Sequence, residues 1–171
     1  GNDNNSGLTT NAPWKNCPGM KGTSTYTGST ALNPGDTVYF DKGDTWFVSS
    51  AGISQSSFTL RGGVKYIGDG WGTGTRAKVY ANGRCESGIV RMATDDPVIE
   101  TWFAGFDVSG QSTNTGTGID INHGFWNPGN TGAMKVITNC VVHDLYASSL
   151  VGDYCYGIIV SDHSPDASGW V

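Results

Sequence analysis

The sequence predicts an all-β fold, a parallel β-helix of several short-stranded rungs, and three observations carry that expectation. Glycine is abundant, at 26 of 171 residues, while charged residues are only 15%. That balance is turn-rich, and an 11% aromatic content argues against disorder. Next, the chain is a succession of short β-branched and aromatic runs closed by Gly, Asn, Asp or Ser, and no window keeps a 3.6-residue apolar period. Finally, a loose repeat is present: Gly88-Ile89, Gly118-Ile119 and Gly157-Ile158 each open a strand, 30 and 39 residues apart. Residues 101–106 line up with 136–141 at an offset of 35. Asp69-Gly70 and Asn82-Gly83 do not join strands of matched length, which counts against hairpins and against propeller blades.

Residues 1–30 are a polar N-terminal segment whose first seven are expected to be loose, and residues 31–171 carry the rungs. Asn4-Asn5-Ser6 is a formal glycosylation sequon, a motif too short to be specific. Pro34-Gly35-Asp36 is a turn, followed by a strand at Thr37-Val38-Tyr39-Phe40. Asp41–Asp44 turns again into Thr45-Trp46-Phe47-Val48. Further runs lie at 58–62, 64–70, 77–83, 88–93, 97–110, 118–124, 134–146 and 156–163. Strand alternation points Ile119, Ile121, Ile158 and Val160 inward and Asp120 and Asn122 outward. A one-residue slip puts Val90 and Met92 inward and sets Arg91 beside Asp120. Trp46, Phe103 and Phe106 read as core residues.

The formal net charge is -5 and the ten basic residues form no run, which excludes the electrostatic footprint of a nucleic-acid binder. No apolar stretch approaches the length of a membrane span, and no signal peptide is present, so a secreted protein would begin at a processed Gly1. Four cysteines form no CxxC pair, which disfavours zinc. Of the three possible pairings, Cys140–Cys155 and Cys17–Cys85 join the nearer partners; the alternative is four buried free thiols. Low charge and richness in Trp, Thr and Asn point to an extracellular or cell-surface setting.

The run from Leu32 to Phe40, followed by Lys42-Gly43-Asp44-Thr45-Trp46, resembles the first rung of the pectate-lyase-like right-handed parallel β-helix proteins. The resemblance covers about residues 30–164 and extends to strands ending in Asn-Cys, His-Asp or Ser-Gly. It implies a right-handed solenoid and a secreted polysaccharide lyase, glycoside hydrolase, adhesin or phage spike, among which fold does not choose.

Candidate chemistry sits at strand ends. Asp120 with His123, His143 with Asp144, and Asp162 with His163 are His–carboxylate patches suited to general acid–base work; the alternative is solvated turn caps. The block Asp120, His123, Asp162 and His163 would adjoin if rungs 118–123 and 157–163 stack. Lyases of the resembled family often use calcium, for which Asp95, Asp96 and Asp107 are the candidate ligands; an Asx turn before Pro97 is the plainer reading of the first two. The paired Asp residues and Gly-His-Gly of polygalacturonase-like hydrolases are absent. Trp71, Trp126 and Trp170, in Gly-rich or Pro-flanked loops, are candidates for stacking on sugar rings, or else cover loop backbone.

Two functions follow. One is a carbohydrate-associated module with a polysaccharide partner. The other is a structural or adhesive protein whose rungs, uncapped at residues 168–171, continue or stack between subunits into a filament.

Overall fold

The computed structural model describes residues 1–48, 58–81, 88–92, 99–110, 125–127, 135–145 and 157–160. These hold twelve strands and one short 3-10 turn at Gly22–Ser24. The strands are β1 (Thr37–Lys42), β2 (Thr45–Phe47), β3 (Phe58–Thr59), β4 (Lys65–Gly72), β5 (Ala77–Tyr80), β6 (Val90–Arg91), β7 (Thr101–Ala104), β8 (Phe106–Ser109), β9 (Phe125–Asn127), β10 (Lys135–Thr138), β11 (Val141–His143) and β12 (Ile158–Val160). They form three four-stranded sheets, β1-β4-β7-β10, β2-β5-β8-β11 and β3-β6-β9-β12. Every pairing between these strands is parallel. The chain thus visits the three sheets in turn, and each strand pairs with the third one along. Parallel pairing explains why hairpin turns are missing from the sequence, since a parallel partner is reached only through a long connection.

The core is aromatic. Phe103 and Phe106 stack with ring centroids 4.0 Å apart, Phe40 meets Phe106 edge-on at 5.0 Å, and Phe58 meets Tyr66 edge-on at 5.6 Å. Both members of the stacked pair point inward although only two residues separate them, because Gly105 between them turns the corner from β7 to β8 at φ +77°. A side chain there would collide with the Asp69 carboxylate. One turn of the chain later the equivalent corner is Asn139, at φ +50°, a residue type that tolerates the left-handed region. Its amide donates to Asp69 Oδ2 at 2.7 Å, and its Oδ1 accepts from Arg76 at 2.8 Å.

Trp46, Phe103 and Phe106 are buried as expected, as are Val90 and Met92 with Arg91 half-exposed between them. The detailed stacking differs from the sequence reading. Ile158–Val160 pair with Phe125–Asn127, and β9 also takes the other edge of Val90–Arg91. Arg91 therefore lies between Thr59 and Trp126 in register; Asp120, expected beside it, is outside the described residues. The run 118–122 lies outside the described residues. Ile158, expected inside, is 53% exposed, at the edge of its sheet. The repeat linking 101–104 to 135–138 runs Thr101↔Lys135, one residue shorter than the alignment expected.

Residues 1–7, expected to be loose, are tied down. The Asp3 carboxylate is buried and accepts from the backbone N–H groups of Lys15, Asn16 and Thr27 and from the side chains of Asn16 and Thr27, at 2.7–3.2 Å. Residues 1–30 fold over the first strands of two sheets. Lys15 O accepts from the Trp46 indole, Ser24 Oγ accepts from Phe47 N, and Gly19 O accepts from Thr59 N. Gly19, at φ +92°, approaches the Thr59 carbonyl too closely for any side chain. Met20 makes an antiparallel bridge to Phe58, and Met20 and Cys17 enter the core.

Cys17 and Cys140 are free thiols, so neither expected bridge is formed; Cys85 and Cys155 lie outside the described residues. Burial, with the Asp3 carboxylate nearby, pushes the Cys17 thiol well above its ordinary range. Burial also raises Cys140, whose Sγ donates to the carbonyls of Thr138 and Phe103. Among the described residues, no helix is long and apolar enough to cross a membrane.

Candidate functional site

The N-terminal segment bonds to β2 and β3, but among the described residues it makes no hydrogen bond to β1. β1 is the end strand of its sheet, so its outer side is left facing a groove between sheet and cap. The groove has a volume of about 640 Å³ and is lined by the cap on one side and by β1 and the end of β4 on the other. Alternation along β1 buries Phe40 and turns Tyr39 outward, where it is 57% exposed. Tyr39 lies across Gly70, whose missing side chain leaves room for the ring; a Cβ there would sit 2.9 Å from it. Trp71, half-buried, follows at once and pairs with Asp41 in register. Trp14 forms part of the opposite wall, its indole N–H donating to Asn5 O and its ring meeting Tyr26 edge-on at 5.9 Å. Polar lining comes from threonines and from Lys15, Asn33, Asp36 and Asp41. The result is a groove with aromatic rings on both walls among donors and acceptors, a combination that binds amphipathic ligands.

A second polar cluster lies on the outer face of the β2-β5-β8-β11 sheet. His143 Nε2 is 2.9 Å from Asp107 Oδ1, and its Nδ1 is 2.9 Å from Asp144 Oδ2. Asp144 sits at φ +52°, just past the end of β11, which brings its carboxylate back toward the ring. Lys78 is the register neighbour of Asp107 on β5, and its ammonium lies 5.5 Å from the Tyr80 ring. Both imidazole nitrogens are engaged by carboxylates, so neither is directed at an open site.

Of the residues singled out from sequence, Trp71 lines the groove. Trp126 lies in β9, and Trp170 lies outside the described residues. Asp120, His123, Asp162 and His163 also lie outside them, as do Asp95 and Asp96. Asp107 is bound to His143, and no group of three or more His, Cys, Asp or Glu residues suited to a metal occurs among the described residues. Sequence reasoning missed Tyr39 and Trp14. The signal for Tyr39 was present, because alternation with Phe40 already makes it the outward aromatic of the first strand.

Compared with protein-family models, with curated proteins and with solved structures, the chain has no match.

Proposed function

We propose that this protein is an extracellular right-handed parallel β-helix that binds a polysaccharide chain in the groove beside β1. The observation that carries the reading is the pairing of an outward Tyr39 and its neighbour Trp71 with a polar rim along one open strand. A sugar ring presents an apolar face flanked by hydroxyls. Aromatic rings cover such a face while carboxylates and amides take the hydroxyls. The three sheets, with each strand pairing to the third along, support the β-helix, and the resemblance of residues 32–46 to a first rung supports the carbohydrate assignment. The extracellular setting rests on composition.

The rival reading, rungs stacking between subunits into a filament, gains nothing at this end of the molecule. Cap residues already bond to the edges of β2 and β3 there, so among the described residues β1 is the strand at this end without such a bond. The test is calorimetric titration with a panel of soluble polysaccharides, repeated on Tyr39→Ala and Trp71→Ala. Each substitution should weaken binding by about tenfold, the loss expected for one stacked ring. Binding unchanged in both variants, or no binding to any member of the panel, would remove the proposal.

A further inference from the structure

Resting on that reading of the groove, we infer that its ligand is an uncharged glycan and that uronate chains are rejected. The charges on the walls decide this. Asp36 stands just before β1 and Asp41 near its end, so a ligand lying along the strand across Tyr39 passes a carboxylate on either side. Five steps of extended chain separate them by about 16 Å, so a ligand group over Tyr39, between them, lies about one Debye length from each at physiological salt. Lys15 is the one cation among the lining residues. Asp36 Oδ2 accepts from Asn33 N at 2.8 Å, which fixes the carboxylate at the groove's rim and leaves its other oxygen for a ligand donor.

A neutral sugar chain supplies hydroxyl donors to these oxygens, forming charge-assisted hydrogen bonds. A polyuronate presents a carboxylate on every ring and meets like charge at both ends of Tyr39, with Lys15 the one lining cation to offset it. The net charge of -5 adds a long-range field of the same sign. Discrimination here comes from a repulsive element, the device by which a site rejects a near-isosteric competitor.

The experiment compares neutral glycans (a soluble β-glucan, a xylan and a galactomannan) with polygalacturonate, using affinity electrophoresis and calorimetry on the full chain. We expect a neutral chain to bind at least about tenfold more tightly than polygalacturonate. The gap should narrow as NaCl is raised from about 50 to about 500 mM, because screening removes the repulsion. In the Asp36→Asn, Asp41→Asn double variant, polygalacturonate affinity should rise toward that of the neutral chain, while circular dichroism reports an intact fold. Equal or tighter binding of polygalacturonate by the unmodified protein would overturn the inference and leave the polysaccharide reading standing. A gap unaffected by both salt and the double variant would overturn it too, and failure to bind any of the four would remove both.

Discussion

Replacing Asp3 should release the N-terminal segment that walls the groove. Its carboxylate gathers five donors from three residues in two stretches, Lys15-Asn16 and Thr27. In Asp3→Ala the Thr27 hydroxyl can turn to water, the Asn16 side chain keeps its bond to Thr25 O, and the Lys15 and Thr27 backbone amides lie on exposed residues. Asn16 is buried, and its amide, 2.7 Å from Oδ1, is left without an acceptor. One buried orphan costs about 1–3 kcal/mol, and the weaker losses bring the total to about 3 kcal/mol. Asp3→Asn should cost nearly as much, because the amide NH₂ would face the Lys15 and Asn16 N–H groups in place of Oδ1, or the Thr27 donors and the Asn16 side chain in place of Oδ2. The assay is native-state hydrogen exchange beside urea unfolding. Exchange at the amides of Lys15, Asn16 and Thr27 should accelerate by about two orders of magnitude, while the amides of β4 and β7 keep their protection. The lock is also acid-sensitive. Burial pushes the Asp3 carboxyl upward, but the Asn16 and Thr27 donors outweigh it and hold it below the ordinary aspartate range. A depressed folded-state pKa gives stability that is complete above the unfolded value, near 4, and is lost as pH falls through the folded value. The wild type should therefore hold its cap from neutrality down to about pH 4 and loosen below it, a step missing from Asp3→Asn. Unchanged exchange at those three amides in Asp3→Ala would refute the assignment of Asp3 as the lock.

Other perturbations test the remaining parts of the fold. Phe103→Ala removes a fully buried ring from the stack with Phe106 and should cost about 3–5 kcal/mol in urea unfolding. Gly105→Ala forces a Cβ into the left-handed region and onto the Asp69 carboxylate, so a loss of about 1–3 kcal/mol is expected by thermal melting, whereas Asn139→Gly at the equivalent corner should cost less. Alkylation in native buffer should label Cys140 before Cys17, because Cys17 is 3% exposed and its thiolate is suppressed by burial; equal rates would show that the cap opens freely. His143→Ala should shift stability by less than about 1 kcal/mol, since its contacts to Asp107 and Asp144 lie in partly exposed positions.

Much of this architecture was legible because parallel strands leave two marks that do not depend on partners. Each run ends in a residue able to turn, and no hairpin dipeptide joins matched runs. Phe103 and Phe106 were recognisable as core from size and position. The register was not legible. A repeat read from Gly-Ile dipeptides selects residues 118–122 as the neighbour of Ile158, whereas the strand paired there is Phe125–Asn127. The dipeptide marks how a strand is entered, and entry points shift whenever a connection changes length; pairing instead follows the side chains that must fill the interior. The same limit explains the offset between 101 and 135. Alignment by residue similarity put Val136 opposite Thr101, but the corner glycine and its counterpart Asn139 fix the register one residue away, through backbone conformation that similarity does not detect.

The groove was half legible for a related reason. Trp71 stands out as a tryptophan between two glycines, and Gly70 matters because it leaves room for the Tyr39 ring beside β4. Tyr39 is outward by alternation, yet what makes it a site residue is the open flank of its strand. That flank exists because the cap spends its hydrogen bonds elsewhere, on Trp46, Phe47 and Thr59. Capping a stack of parallel sheets at one end requires satisfying three strand edges. A segment of 30 residues tied at Asp3 reaches two of them, and among the described residues none bonds to the third, which borders the aromatic groove. An unprotected edge of this kind would invite pairing with another chain. Here Asp36 and Asp41 place charge at both ends of β1, and the cap wall stands across the approach. Those features discourage a protein strand from adding to β1 while leaving room for a narrower ligand that needs no backbone register.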